Sequence, residues 1–143
     1  MATASSIRFL EHTADVGVEV VAPSFAELLR AAGDGMFQLL LGTGYITSLD
    51  HTAPELRHLA LQADDAPRLF ADWLRELLYL YESTGECPVS TEFSRADARG
   101  LDAAVHCARA GGAPLREIKG VTYHQLDVRR RDGGWFARVI FDV

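Results

Sequence analysis

The sequence predicts a two-layer α+β fold in which a mixed, mostly antiparallel sheet packs one face against two main helices. Two long segments repeat apolar residues at helical spacing. Roughly six or seven shorter segments instead alternate apolar and polar residues or are rich in β-branched residues. Strands and helices do not alternate regularly along the chain, and this order favours an α+β fold over a doubly wound one. We expect one sheet.

Two strands are predicted near the start of the chain, at residues 7–10 and 16–22. In the second segment Val16, Val18 and Val20 fall on one face. The residues between the two strands, 11–15, are polar and predict a turn.

A first helix is predicted to begin after Ser24, which can cap it, with Glu27 completing a capping box. Apolar residues then recur at helical spacing and define one buried stripe. The stripe consists of Phe25, Leu28, Leu29, Ala32, Met36, Leu39 and Leu40. Gly42 ends the helix. Residues 46–49 are interpreted as a brief extended segment.

The middle of the chain predicts a strand at residues 56–63 and then the second helix. Asp65 and Pro67 are typical of a helix start, and the acidic residue is favourable at the positive end of the helix dipole. The helix is expected to end near Glu82, before Gly85.

The last third of the chain predicts strands only, at residues 89–95, 101–108, 117–130 and 135–143. The last two form a hairpin across Asp132, Gly133 and Gly134, a favourable turn sequence.

Length and composition indicate one globular domain over residues 1–143. Hydrophobic residues make up 48% and charged residues 24%, which excludes a disordered chain. The net charge of −6 argues against binding nucleic acid by phosphate neutralisation, and the basic run 129–131 is interpreted as a solvated hairpin end. No apolar run can span a bilayer and no secretory signal is evident, so we expect a cytoplasmic protein.

The sequence lacks the motifs of several common enzyme classes. No glycine-rich phosphate loop follows a strand, and there is no Gly-x-Ser-x-Gly elbow. Cys87 and Cys107 are far apart in sequence, and we expect free thiols rather than a disulfide or a zinc site.

Polar residues at strand ends form the first candidate site. His12 and Asp15 share one polar bend, while Asp142 and the terminal carboxylate of Val143 lie at the other end of the sequence. Such oxygen-rich ligands favour Ca²⁺, Mg²⁺ or Mn²⁺ over zinc. The alternative is that His12 and Asp15 cap a turn and Asp142 is a solvated terminal residue.

Lys119 forms the second candidate, because it is the one lysine among 14 basic residues. It could supply a compact positive charge that arginine cannot. Its alternative role is a surface ion pair, for example with Glu117. His124, five residues further along, is a candidate of the same kind, although a lone histidine on a strand is more often a packed or surface residue.

Four segments together resemble the archease family. These are 9–18, with the run His12-Thr13-Ala14-Asp15; 73–79; 118–124; and the ending 139–143. They occur in the family's order and span nearly the whole chain. The chain departs from the family pattern at Gly120, where alanine is more usual, and at Arg75, where asparagine is frequent.

This resemblance implies a function. Archeases are accessory proteins of the RtcB-type RNA ligase, whose guanylylation and repeated turnover they promote in tRNA splicing and RNA repair. It also implies a divalent-cation site at Asp15, Asp142 and Val143, with His12 alongside and Ca²⁺ as the expected ion. Lys119 matches the family's functional lysine, and we place His124 on the same partner-activating surface. The implied partner is the ligase, with RNA contacted only indirectly and no DNA or membrane partner. The chain itself is not expected to be an enzyme.

Two other functions remain open at this point. The first is a small metal-dependent hydrolase of a phosphoester or nucleotide, with His12 or His124 as base. The second is a chaperone-like or RNA-binding module.

Overall fold

The computed structural model describes residues 5–11 and 15–143. In chain order, this part of the protein contains β1 (Ser6–Glu11), β2 (Asp15–Ala22), α1 (Phe25–Leu41), a 3₁₀ helix (Tyr45–Ser48), β3 (Leu49–Gln62), α2 (Ala66–Thr84), β4 (Glu86–Asp97), β5 (Gly100–Ala110), β6 (Gly120–Arg131) and β7 (Gly134–Asp142).

The strands form two antiparallel sheets, so the expectation of one sheet is wrong. Sheet A has the order β1-β2-β7-β6, and sheet B has the order β3-β5-β4. An alternating pattern tells which face of a strand is buried but not which strand lies beside it. The sequence therefore could not divide the strands between two sheets.

Both helices contact strands of both sheets, which confirms the α+β class and the two main helices. α1 contacts β2 and β4, and α2 contacts β6, β4 and β3. The largest core side chains, Phe37, Phe70 and Trp73, come from these helices and are at most 1% exposed. One apolar core therefore joins the two sheets through the helices. No helix in the described part of the chain is long and apolar enough to cross a membrane.

The helix ends follow the predicted signals. The Ser24 side chain accepts a hydrogen bond from the Glu27 amide at 3.1 Å, and Asp65 accepts one from the Arg68 amide at 2.9 Å. The Glu27 carboxylate pairs with Arg30, so only the Ser24 half of the expected capping box is seen. Gly85, with φ of 76°, ends α2 two residues later than predicted.

Two other predictions need correction. Residues 46–48 belong to the 3₁₀ helix rather than to an extended segment, and β3 begins at Leu49 instead of residue 56. The start of β3 was missed because its pairing with β5 is interrupted between Asp50 and Glu55, and residues 50–56 are exposed. An exposed, irregular strand carries little apolar alternation.

The predicted hairpin between β6 and β7 is confirmed. Asp132 and Gly133 have φ of 51° and 78° and connect the strands. Positive φ at both central positions is what a type I′ turn requires, and it matches the twist of the two strands.

Gly17 is required by the close packing of β2 against β7. A Cβ built at Gly17 would clash with the carbonyl oxygen of Val139 and lie 2.8 Å from Cδ1 of Ile140. Gly120, at the start of β6, faces open space instead. Gly17 and Gly120 therefore have opposite steric surroundings.

We predict that Gly17→Ala lowers the free energy of unfolding by about 1–3 kcal/mol, because the strand pair must shift to admit the methyl group. Gly120→Ala is the matched control and should leave stability unchanged or raise it by about 0.5–1 kcal/mol. Urea unfolding of both variants tests the pair. Equal stability of the two variants would contradict this packing.

Candidate functional site

The ends of β2, β7 and β6 bring the two predicted carboxylates together. Asp15 on β2 pairs with Asp142 on β7, and Asp142 pairs with Gly120 on β6. Residues directly opposite each other in an antiparallel sheet project to the same face, with Cβ atoms about 5 Å apart. Residues at opposite ends of the sequence thus form one acidic pair.

Lys119 lies at the same end of the sheet. Its backbone N–H donates a hydrogen bond of 2.7 Å to the carbonyl oxygen of Asp142. The preceding residue, Ile118, is 2% exposed and anchors the chain in the core, whereas the Lys119 side chain is exposed. Within residues 5–11 and 15–143 Lys119 has no ion-pair partner, so the alternative role in a surface pair with Glu117 is not seen there.

The other predicted site residues are His12, Val143 and His124. His12 lies outside the described residues. Val143 is partly exposed and directly follows Asp142. His124 is exposed and sits in a bulge of β6, beyond the pairing of Thr122 with Ile140. The structure therefore does not bring His124 to the acidic pair.

The electrostatics of the acidic pair are compatible with a bound cation. Asp142 is exposed and Asp15 is partly exposed, and directly opposed like charges destabilise a strand pair. Two facing carboxylates supply the hard oxygen ligands that Ca²⁺, Mg²⁺ and Mn²⁺ prefer. In the part of the chain that the structure covers, no group of three or more His, Cys, Asp or Glu side chains is gathered. Any further ligand would have to come from elsewhere, such as Val143, His12 or water.

Comparison with known proteins identifies the family. A model of the archease protein family matches residues 8–143. The chain belongs to the archease family. The archease of Methanosarcina acetivorans is 31% identical over 144 residues, which cover 94% of each chain. The archease of Methanopyrus kandleri is 30% identical over 143 residues, which cover 94% of this chain and 96% of the relative.

Solved structures agree with this membership. The crystal structure of an archease from Thermotoga maritima, described as a possible chaperone, has a TM-score of 0.64 at 25% identity and covers 94% of each chain. The solution structure of Methanobacterium thermoautotrophicum protein 1598 has a TM-score of 0.71 at 24% identity, covering 96% of this chain and 98% of that one. At 24% identity, the similarity to this second structure shows a shared fold only.

Arg75 has a structural role that sequence reasoning missed. From α2 it donates hydrogen bonds of 2.9 Å to the carbonyl oxygen of Val121 and to the hydroxyl of Tyr123. Its guanidinium also lies 4.6 Å from the centre of the Tyr123 ring. Arg75, the position at which this chain departs from the usual archease asparagine, therefore ties α2 to β6 just beyond Lys119. Its long-range partners could not be read from the sequence.

The bulge of β6 is held from the other side by Arg138. Residues 123–126 lie between the paired residues Thr122 and Asp127, and Gln125 has φ of 56°. The Arg138 side chain donates a hydrogen bond of 3.1 Å to the Gln125 carbonyl oxygen. Bulges redirect side chains at sheet edges, and Tyr123 and His124 both lie in this one.

The two cysteines and the basic run 129–131 agree with their interpretation from the sequence. Both cysteines are free and buried, and burial raises the pKa of Cys87 to about 12 and that of Cys107 to about 11. Thiols of this kind are poor nucleophiles at neutral pH. In the basic run, which is exposed at the hairpin end, Arg129 pairs with Asp127 at 3.1 Å.

We predict that Arg75→Ala lowers the free energy of unfolding by about 1–2 kcal/mol, because two hydrogen bonds and a cation–π contact between α2 and β6 are lost. Arg68→Ala removes a partly exposed ion pair with Asp72 on the same helix and should change stability by less than about 0.5 kcal/mol, because Asp72 keeps its pair with Arg75. Chemical unfolding of both variants measures the difference. A loss no larger for Arg75 than for Arg68 would refute the role given to Arg75.

Proposed function

We propose that this protein activates an RtcB-type RNA ligase, promoting its guanylylation and multiple turnover in tRNA splicing or RNA repair. Family membership supports this role, and so does one juxtaposition. The pairing of β2, β7 and β6 gathers Asp15, Asp142 and Lys119, three residues from separate motifs, at one end of sheet A. A polar surface assembled from distant motifs is typical of a functional site rather than of local turn capping.

The acidic pair would hold a divalent cation in this proposal. Asp15 and Asp142 would supply carboxylate oxygens, with Val143 and His12 as further ligands. Ca²⁺ is the ion we propose, with Mg²⁺ or Mn²⁺ able to use the same hard oxygen ligands. When bound, the cation would offset the repulsion between the carboxylates and add a positive charge to the surface.

Lys119 would supply a second positive charge for an anionic group of the ligase complex. Its backbone is fixed by the hydrogen bond to Asp142, while its side chain is exposed. An ammonium group is a compact charge with three donors, suited to a phosphate or a carboxylate. His124 would contact the ligase from the neighbouring bulge.

The role proposed for this surface is to position reacting groups of the ligase, not to perform chemistry on its own. RNA would be contacted only through the ligase, because a net charge of −6 disfavours direct binding to phosphates. A protein partner also agrees with the description of the Thermotoga maritima archease as a possible chaperone.

We expect this protein to increase multiple-turnover RNA ligation by its cognate RtcB-type ligase when the ligase is substoichiometric. Asp15→Ala, Asp142→Ala and Lys119→Ala should each reduce the gain at least about tenfold, equivalent to roughly 1.4 kcal/mol. Glu92→Ala, an exposed acidic position on sheet B, is the matched control and should retain it.

Three outcomes would count against this function. No gain with an active ligase would overturn it. Turnover of a phosphoester or nucleotide by this protein alone would favour the hydrolase, and steeply salt-dependent RNA affinity would favour an RNA-binding module.

Cation binding has its own test in the absence of ligase. Ca²⁺ should raise the melting temperature of the protein, because a ligand that binds the folded state stabilises it. In chelator, Asp142→Asn should be more stable than the parent by about 0.2–1 kcal/mol, since the opposed charges are removed. The same variant should no longer respond to Ca²⁺. An undiminished response would exclude the acidic pair as the site.

A further inference from the structure

The β5–β6 connection, residues 111–119, links sheet B to sheet A and ends at Lys119. Three hydrogen-bonded contacts hold it. The Leu115 N–H donates a hydrogen bond of 2.8 Å to the carbonyl oxygen of Leu40 at the end of α1, and the Lys119 N–H bonds to Asp142. Between these points, Arg116 donates a hydrogen bond of 3.1 Å to the Glu11 carboxylate on β1. The connection is therefore fixed to α1 and to two strands of sheet A, β1 and β7.

The contact between Arg116 and Glu11 bridges the full width of sheet A. β1 and β6 are its two edge strands, three strand spacings or about 14 Å apart. From Arg116 to Lys119 the backbone can span at most about 10 Å. The side chains of Arg116 and Glu11 together bridge the distance that the backbone leaves between the connection and β1. A short side chain at position 116 could not reach Glu11.

This contact also links the archease-like segment 9–18 to the residues that lead into the segment 118–124. Glu11 is the last residue of β1 and pairs with Val16, the neighbour of Asp15. Arg116 lies three residues before Lys119. The ion pair therefore connects the segment that leads to Asp15 with the segment that presents Lys119, independently of the β2–β7–β6 pairing.

We propose that Arg116 is a positioning residue: its ion pair with Glu11 holds the β5–β6 connection so that the Lys119 backbone stays bonded to Asp142 at this end of sheet A. The value of this position for ligase activation rests on the proposed function, but the structural claim does not. The rival explanation is that buried Ile118 already anchors the connection and Arg116 is an ordinary surface residue.

Stability alone should hardly change when Arg116 is replaced. The ion pair is exposed, with side-chain exposures of 34% for Arg116 and 62% for Glu11, and exposed pairs contribute little. Within the described residues, Nε of Arg116 is buried without a hydrogen-bond partner, so the replacement also removes an unpaired donor. We expect the melting temperature of Arg116→Ala to stay within about 4 °C of the parent.

Amide hydrogen exchange tests the positioning directly. In Arg116→Ala the Lys119 amide should exchange about two- to fivefold faster than in the parent, the change that losing an exposed ion pair allows, because its bond to Asp142 opens more often. The Gly85 amide, bonded to the Tyr81 carbonyl oxygen at the end of α2, is the internal control and should not change. Glu11→Gln should reproduce the effect, and Arg116→Lys should restore slow exchange. Unchanged exchange at Lys119 in Arg116→Ala would overturn the proposal.

Ligase stimulation supplies a second readout. Arg116→Ala should reduce the gain in turnover severalfold, Arg116→Lys should recover it, and Arg116→Ala combined with Lys119→Ala should be no worse than Lys119→Ala alone. Additive losses would mean that Arg116 acts independently of Lys119 and would contradict the proposal. If the parent protein gives no stimulation, the proposed function fails, and the exchange at Lys119 still decides whether Arg116 positions it.

Discussion

The pairing of β2 with β7 is the constraint on which the rest of the molecule depends. These are the two central strands of sheet A, and they join the beginning of the chain to its end. Their inner faces contribute fully buried Val18, Val20 and Val139 to the core that the helices cover. A shift of one residue would expose this apolar set, so burial specifies the register. That same register sets Asp15 opposite Asp142.

The acidic pair is therefore a consequence of core packing as well as a candidate site. Gly17, two residues from Asp15, permits the close approach of β2 to β7, and Lys119 hydrogen-bonds to the carbonyl oxygen of Asp142. Opposed carboxylates weaken a strand pair in the absence of a cation. A protein that stability alone had shaped would have little reason to place two aspartates there, which is why we connect this end of the sheet with function.

Local features of the fold were readable from the sequence, and long-range pairings were not. Ser24 caps α1 as predicted, and Asp65, predicted at the start of the second helix, caps α2, because an N-cap involves residues only three apart. Asp132 and Gly133 form the predicted turn for the same local reason. The division into two sheets depends on which strands meet across the chain, and local alternation does not encode it.

In the candidate site too, some residues could be predicted from the sequence and others could not. The sequence motifs single out Asp15, Asp142 and Lys119, and the structure brings them together. Arg75 and Arg116 could not be recognised, because their partners Tyr123 and Glu11 lie 48 and 105 residues away in sequence. An arginine in a helix or a loop looks like any solvated charge until its partner is known.

The surface formed by Asp15, Asp142 and Lys119 can be tested most directly by mapping where the RtcB-type ligase binds this protein. Backbone amide signals would be followed by NMR while unlabelled ligase is added in the presence of Ca²⁺. We expect the largest changes to cluster at Asp15, Lys119 and Asp142 and to extend to the β6 bulge. Changes confined to sheet B, or no change with an active ligase, would contradict this expectation.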